Sequence, residues 1–190
     1  MPNHGNRASI TPFKSHIAEI FMRFLLLSLT TALLIAPNAA NAQSGASPAD
    51  LARDDANMSQ CLEAVRNMNE GGANNGDMHD CIGIIATPCM ETPDGSSTIG
   101  MSFCTRRETD WWDKQLNSSY QQLKNIMNQQ DFTQLRDLQR KWIAYKDAKC
   151  EFEHASWKGG TIASVASAQC FLDTTADQAI TLSGHLRKSW

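Results

Sequence analysis

Six cysteines, Cys61, Cys81, Cys89, Cys104, Cys150 and Cys170, constrain this chain more than any other feature. All of them follow the segment "MRFLLLSLTTALLIAPNAANA", Met22 to Ala42. This segment has one arginine, an apolar run from Phe24 to Ala36, and small residues ending Ala40-Asn41-Ala42. It reads as a secretory signal peptide cleaved after Ala42, which leaves a mature chain starting at Gln43. The rival reading is a membrane anchor, but the apolar run is about 13 residues where a spanning helix needs roughly 20. Residues 1–21 mix His, Asn, Arg and Pro without apolar periodicity and read as an extended n-region or an upstream start. The expected organisation is a signal peptide over 1–42 and one domain over 43–190, periplasmic or secreted.

An even number of cysteines in an exported chain argues for disulfides. A zinc site using His79 with Cys81 and Cys89 is the alternative, but the chain has no C-x-x-C pair of the kind structural zinc sites use. Six cysteines allow 15 connectivities. Nearest-neighbour pairing, Cys61–Cys81, Cys89–Cys104 and Cys150–Cys170, is the one expected here, because each bridge closes a short loop beside a helix end. A loop of this length stabilises by about 3 kcal/mol in the chain-entropy model.

The 148 residues from Gln43 onward suffice for one domain with a modest core. They carry 14 basic and 19 acidic residues, a net of −5, and residues 43–104 alone hold 9 acidic against 2 basic. No basic stripe exists to meet phosphates, so nucleic acid is not an expected partner. An acidic half suits a cationic partner, or serves only as a solvated surface.

Helix signals dominate. Ser47, Pro48 and Asp50 form a helix start, followed by Leu51, Met58, Leu62 and Val65 at helical spacing; Gly71-Gly72 ends it. A short helix is expected from Asp80 to Cys89, then a turn-rich loop "ETPDGSST". A long helix follows from about Ile99 to Asn128, with Trp112, Leu116, Tyr120, Leu123 and Met127 on one stripe. Asp131 with Gln134 reads as a capping box for the next helix. The stripe of that helix is Phe132, Leu135, Leu138, Trp142 and Tyr145. After Gly159-Gly160, a last helix carries Ile162, Val165, Cys170, Ala176, Ile180 and Leu186. The expected fold is all-α: a small bundle of four or five helices with a central antiparallel helical hairpin, stapled by disulfides.

The ordered set "RETDWWDKQLNSSYQQL", "LRDLQRKWIAYKDAKC" and "GGT…C" resembles the LprI-like lysozyme inhibitor family of exported bacterial proteins. The matching positions are Cys104, Glu108, Asp113, Leu116, Asn117, Tyr120, Leu123, Gln139, Arg140, Trp142, Asp147, Cys150, Gly160 and Cys170. Two positions depart from the family's usual pattern: Lys146 stands where an arginine is common, and Gln178 stands three residues after Thr175 where an arginine is also common. The resemblance implies an exported protein that binds a protein partner, a cationic lysozyme, and inhibits it by occluding its cleft. A non-inhibitory envelope scaffold or adaptor with the same fold is the alternative.

Asn117, Gln139, Arg140 and Asp147 are polar residues among apolar stripes. They read first as a buried network across the hairpin, since Arg140 has five donors and Asn117 and Asp147 can accept them. The other reading is a contact surface. Glu108, Asp110 and Asp113 cluster on one helix, where Asp110 and Asp113 are i, i+3 neighbours at the spacing of ordinary surface charge. Glu151, Glu153 and His154 follow the Cys150 clamp, where His154 near Glu151 could make a weak metal site but a lone flanked histidine is usually solvated. Asp110 and Asp113, on one turn, are not the pair held across a cleft that a glycosidase requires. No catalytic residue, cofactor or metal is therefore expected. Candidate partner contacts are Glu91, Asp94 and Ser96, on the loop that Cys89–Cys104 would clamp, and Trp157, beside Gly159-Gly160. Trp112 and Trp142 fit the core stripes; Trp111, Trp157 and Trp190 do not obviously do so.

Overall fold

The computed structural model describes residues 45–70 and 76–188. The signal segment and Trp190 lie outside these residues. The described elements are α1 (Pro48–Glu70), a 3-10 turn (Met78–Cys81), α2 (Ala86–Met90), α3 (Thr98–Ile126), α4 (Gln129–Ser156) and α5 (Thr161–His185). No strand occurs among the described residues.

The start of α1 follows its sequence signal. The Ser47 hydroxyl accepts the Asp50 N–H at 3.2 Å, and the Asp50 carboxylate accepts the Ser47 N–H at 3.2 Å. This reciprocal cap satisfies helix-end donors that would otherwise have no partner. The segment expected as one helix from Asp80 to Cys89 is instead divided. Asp77 caps a 3-10 turn, and α2 begins only at Ala86. Between them Gly83 takes φ +100°, which no side-chain-bearing residue adopts readily.

The cap of α4 also differs from expectation. Asn128, not Asp131, is the N-cap: its side chain accepts the N–H groups of Gln130 and Asp131, each at 3.0 Å. Asp131 instead accepts from the Asn128 amide at 2.6 Å. With Met127 and Asn128 as the only link, α3 and α4 reverse direction, and Tyr120 meets Phe132 at 5.5 Å between ring centroids. The hairpin is open, however. The backbone of α5 packs closely along α3 and also against α4, whereas α3 and α4 come close to each other at few points. The last helix is thus the centre of the bundle. It buries Leu172, Ala176, Ala179 and Leu182 against Trp112, Leu116 and Leu123 of α3 and Leu135 of α4.

Three disulfides staple this frame, joining Cys61 to Cys81, Cys89 to Cys104 and Cys150 to Cys170, with Cα–Cα distances of 5.9, 5.6 and 5.4 Å. The first ties α1 to the 3-10 turn, the second α2 to α3, and the third α4 to α5. No cysteine is free.

The Cys150–Cys170 bridge fixes which face of α4 meets α5, and this corrects the expected stripe. Leu138 and Tyr145 are 49% and 60% exposed. Gln139 is buried in place of Leu138, and Lys146 is half-buried in place of Tyr145. The inward residues are then Phe132, Leu135, Gln139, Trp142, Lys146 and Cys150, which step by 3, 4, 3, 4 and 4. Lys146 is accommodated because its ammonium lies 5.1 Å from the Trp142 ring centroid and 5.5 Å from that of Phe171.

Candidate partner-binding surface

The polar positions expected as a buried network do not form one. Arg140 is exposed, with Asp137 near it at 3.9 Å. Asp147 is exposed, and Asn117 bonds to the Asp113 carboxylate one turn back, at 2.8 Å on the surface. Residue 140 lies about 100° round the helix from Gln139, so burying Gln139 turns Arg140 to solvent. Gln139 alone of the four is buried, and its side-chain nitrogen has no hydrogen-bond partner among the described residues.

Glu108 is the converse case. It is fully buried, not surface charge. Its carboxylate accepts the N–H groups of Gly83, Ile85 and Ala86 at 2.6, 3.0 and 2.8 Å and the Trp112 indole N–H at 3.1 Å. It therefore anchors the start of α2 on α3. A second anchor, Arg107 with Asp54, ties α1 to α3. Trp111 is buried too, contrary to the stripe reading; its indole N–H donates to Asp55 at 3.1 Å and its ring stands edge-on to Trp112. Signals for all three exist in the sequence. Glu108 lies one turn before Trp112 on the buried stripe, and Asp54 lies between Leu51 and Met58 on that of α1. Two adjacent tryptophans fit a helix packed on two sides. Asp110, close to these groups, is half-buried, and burial pushes its carboxyl above the ordinary range while Arg106 and Lys114 oppose the shift.

Of the remaining family positions, Leu116 is buried, while Tyr120 and Trp142 pack half-buried on the core. Gly160, at φ +91°, precedes the first residue of α5.

The candidate contacts lie at one end of the bundle, where α3 begins and α4 ends. Glu91, Asp94 and Ser96 are all exposed. Trp157 follows the last residue of α4, 47% exposed, its indole N–H donating to Glu153 at 3.2 Å. Sequence reasoning missed the apolar residues here: Ile99, in the first turn of α3, is 81% exposed, and Phe103, one turn on, 36%. Ile99 and Phe103 share a groove with Arg106, His154, Ser167 and Phe171. Three or more metal-ligating side chains do not come together anywhere among the described residues. No helix of the described residues is long and apolar enough to cross a membrane.

Fold and surface together define a small, disulfide-stapled, all-helical domain with a partly apolar, acid-flanked end. Residues 89–182 match the family model described as "Lysozyme inhibitor LprI", a segment that contains the whole of α3 and α4 and nearly all of α5. This segment, residues 89–182, belongs to the LprI lysozyme inhibitor family. No curated protein and no solved structure matches it.

Proposed function

We propose that this protein is exported and inhibits a lysozyme by binding over its sugar cleft, with no chemistry of its own. The family match carries the reading, because the family is one of lysozyme inhibitors and the match takes in α3, α4 and nearly all of α5 with the two disulfides that tie them. Export is supported by the three disulfides, which persist in oxidising compartments. The signal-like segment with a cleavage site after Ala42 agrees with this. A cationic lysozyme also suits a mature chain of net charge −5.

The test is a titration of purified, oxidised protein into a cationic lysozyme hydrolysing cell wall. Saturable loss of lysozyme activity supports the reading. Full activity at a large excess of the protein contradicts it and leaves the adaptor reading in its place.

A further inference from the structure

The loop before α3 is built to stay in one shape. The Thr92 hydroxyl donates to the Cys89 carbonyl at 2.7 Å and accepts the Gly95 N–H at 3.1 Å. Ser96 donates to the Pro93 carbonyl at 3.0 Å, and Ser97 caps α3 by accepting the Gly100 N–H at 3.0 Å. Two glycines let the loop close on itself. A Cβ on Gly95 would come within 1.9 Å of the Cys89 carbonyl oxygen, and one on Gly100 within 2.2 Å of that of Asp94. The Cys89–Cys104 disulfide locks the base.

The loop displays Glu91 and Asp94, both exposed and with no ion-pair partner within 4 Å among the described residues, and next to it stands the 81%-exposed Ile99. An isoleucine so exposed at a helix start contributes little to the core. With the exposed carboxylates of Glu91 and Asp94 on the adjoining loop, it makes a knob that joins an apolar side chain to anionic ones, at the rim of the groove that Ile99 lines with Phe103 and Phe171. A pre-ordered knob of this kind loses little entropy on entering a cleft.

We infer that this knob, Glu91 to Ser97 with Ile99, is the part that enters the lysozyme cleft, Ile99 lying against its apolar wall and Glu91 and Asp94 meeting its cationic rim. The inference rests on the inhibitor reading above. It assigns no contact to Trp157 at the same end or to the exposed Leu138 and Tyr145 on α4.

The experiment measures inhibition of a cationic lysozyme by the full oxidised chain and its variants, with helicity checked by circular dichroism. Ile99→Asp and the milder Ile99→Ser should each weaken inhibition by about tenfold or more, as loss of an anchor does, while the fold persists. Glu91→Gln with Asp94→Asn should weaken inhibition at low salt and flatten its salt dependence, since such attraction is screened within about 10 Å at 0.1 M salt. Leu138→Ala and Tyr145→Ala, on the exposed face of α4, should inhibit like the unmodified protein. Unchanged inhibition by both Ile99 variants overturns the assignment while leaving the inhibitor reading intact, as does a loss confined to Trp157→Ala. An unmodified protein that inhibits no lysozyme overturns both.

Discussion

Asp54 and Arg107, 53 residues apart in the chain, meet in a two-pronged ion pair, with Nε to Oδ2 at 2.5 Å and Nη2 to Oδ1 at 2.6 Å. Both side chains are about nine-tenths buried, so each charge depends on the other for solvation. Asp54→Ala should destabilise by about 3–5 kcal/mol, because it strands a buried guanidinium. The double variant Asp54→Leu, Arg107→Met should lose much less. Denaturant unfolding of both variants is the check, and equal losses would show that the pair is not coupled.

Glu108 should be the least replaceable carboxylate. Glu108→Ala leaves the N–H groups of Gly83, Ile85 and Ala86 and the Trp112 indole without their acceptor. At about 1–3 kcal/mol for each donor left buried, the total loss should be at least about 3 kcal/mol. Glu108→Gln keeps one carbonyl acceptor and should lose less. Hydrogen exchange should locate the damage at residues 83–90.

The aromatic residues separate by register. Trp112, at 2% exposure, should cost about 3–5 kcal/mol on replacement by alanine. Tyr145→Ala and Arg140→Met, both on the solvent side of α4, should change stability by less than about 0.5 kcal/mol. A large loss at Tyr145 would mean that α4 is rotated from the face described.

His79 supplies a pH signature. It sits between Asp77, 2.6 Å from Nδ1, and Asp177, 3.3 Å from Nε2. The hydrogen bond to Asp77 raises its pKa above the ordinary 6.5, burial opposes this, and the charges of Asp77 and Asp177 add to it. A raised folded-state pKa means that the stabilisation is complete below the unfolded value and is lost as pH rises through the folded one. Thermal midpoints measured from about pH 5.5 to about 8.5 should therefore fall more in the unmodified protein than in His79→Gln, around the ordinary histidine range. His79 is about half exposed, so the difference should be small. Parallel curves would contradict the clasp.

The helical frame is legible because apolar spacing, caps and cysteine count all act locally. Ser47 and Asp50 cap α1 as their identities suggest, and the stripe from Trp112 to Leu123 on α3 is the buried one. Legibility fails where a distant partner decides the face. Leu138 and Tyr145 continue an apolar spacing, but the tie from Cys150 to Cys170 turns Gln139 and Lys146 inward instead. Glu108 lies on the buried stripe one turn before Trp112, but the partner that lets a carboxylate sit there, the backbone of the 83–86 turn 22 to 25 residues earlier, is not readable from local spacing. The prominence of Ile99 is invisible for the same reason, since helical spacing alone does not reveal that the other described elements leave it 81% exposed.

Calorimetric titration of the oxidised protein with a cationic lysozyme, with and without a saturating chitooligosaccharide in the enzyme's cleft, tests cleft occlusion most directly. The account predicts one saturable binding event whose apparent affinity falls as the sugar occupies the cleft. Binding of equal strength with the cleft filled, or no binding at all, would contradict it.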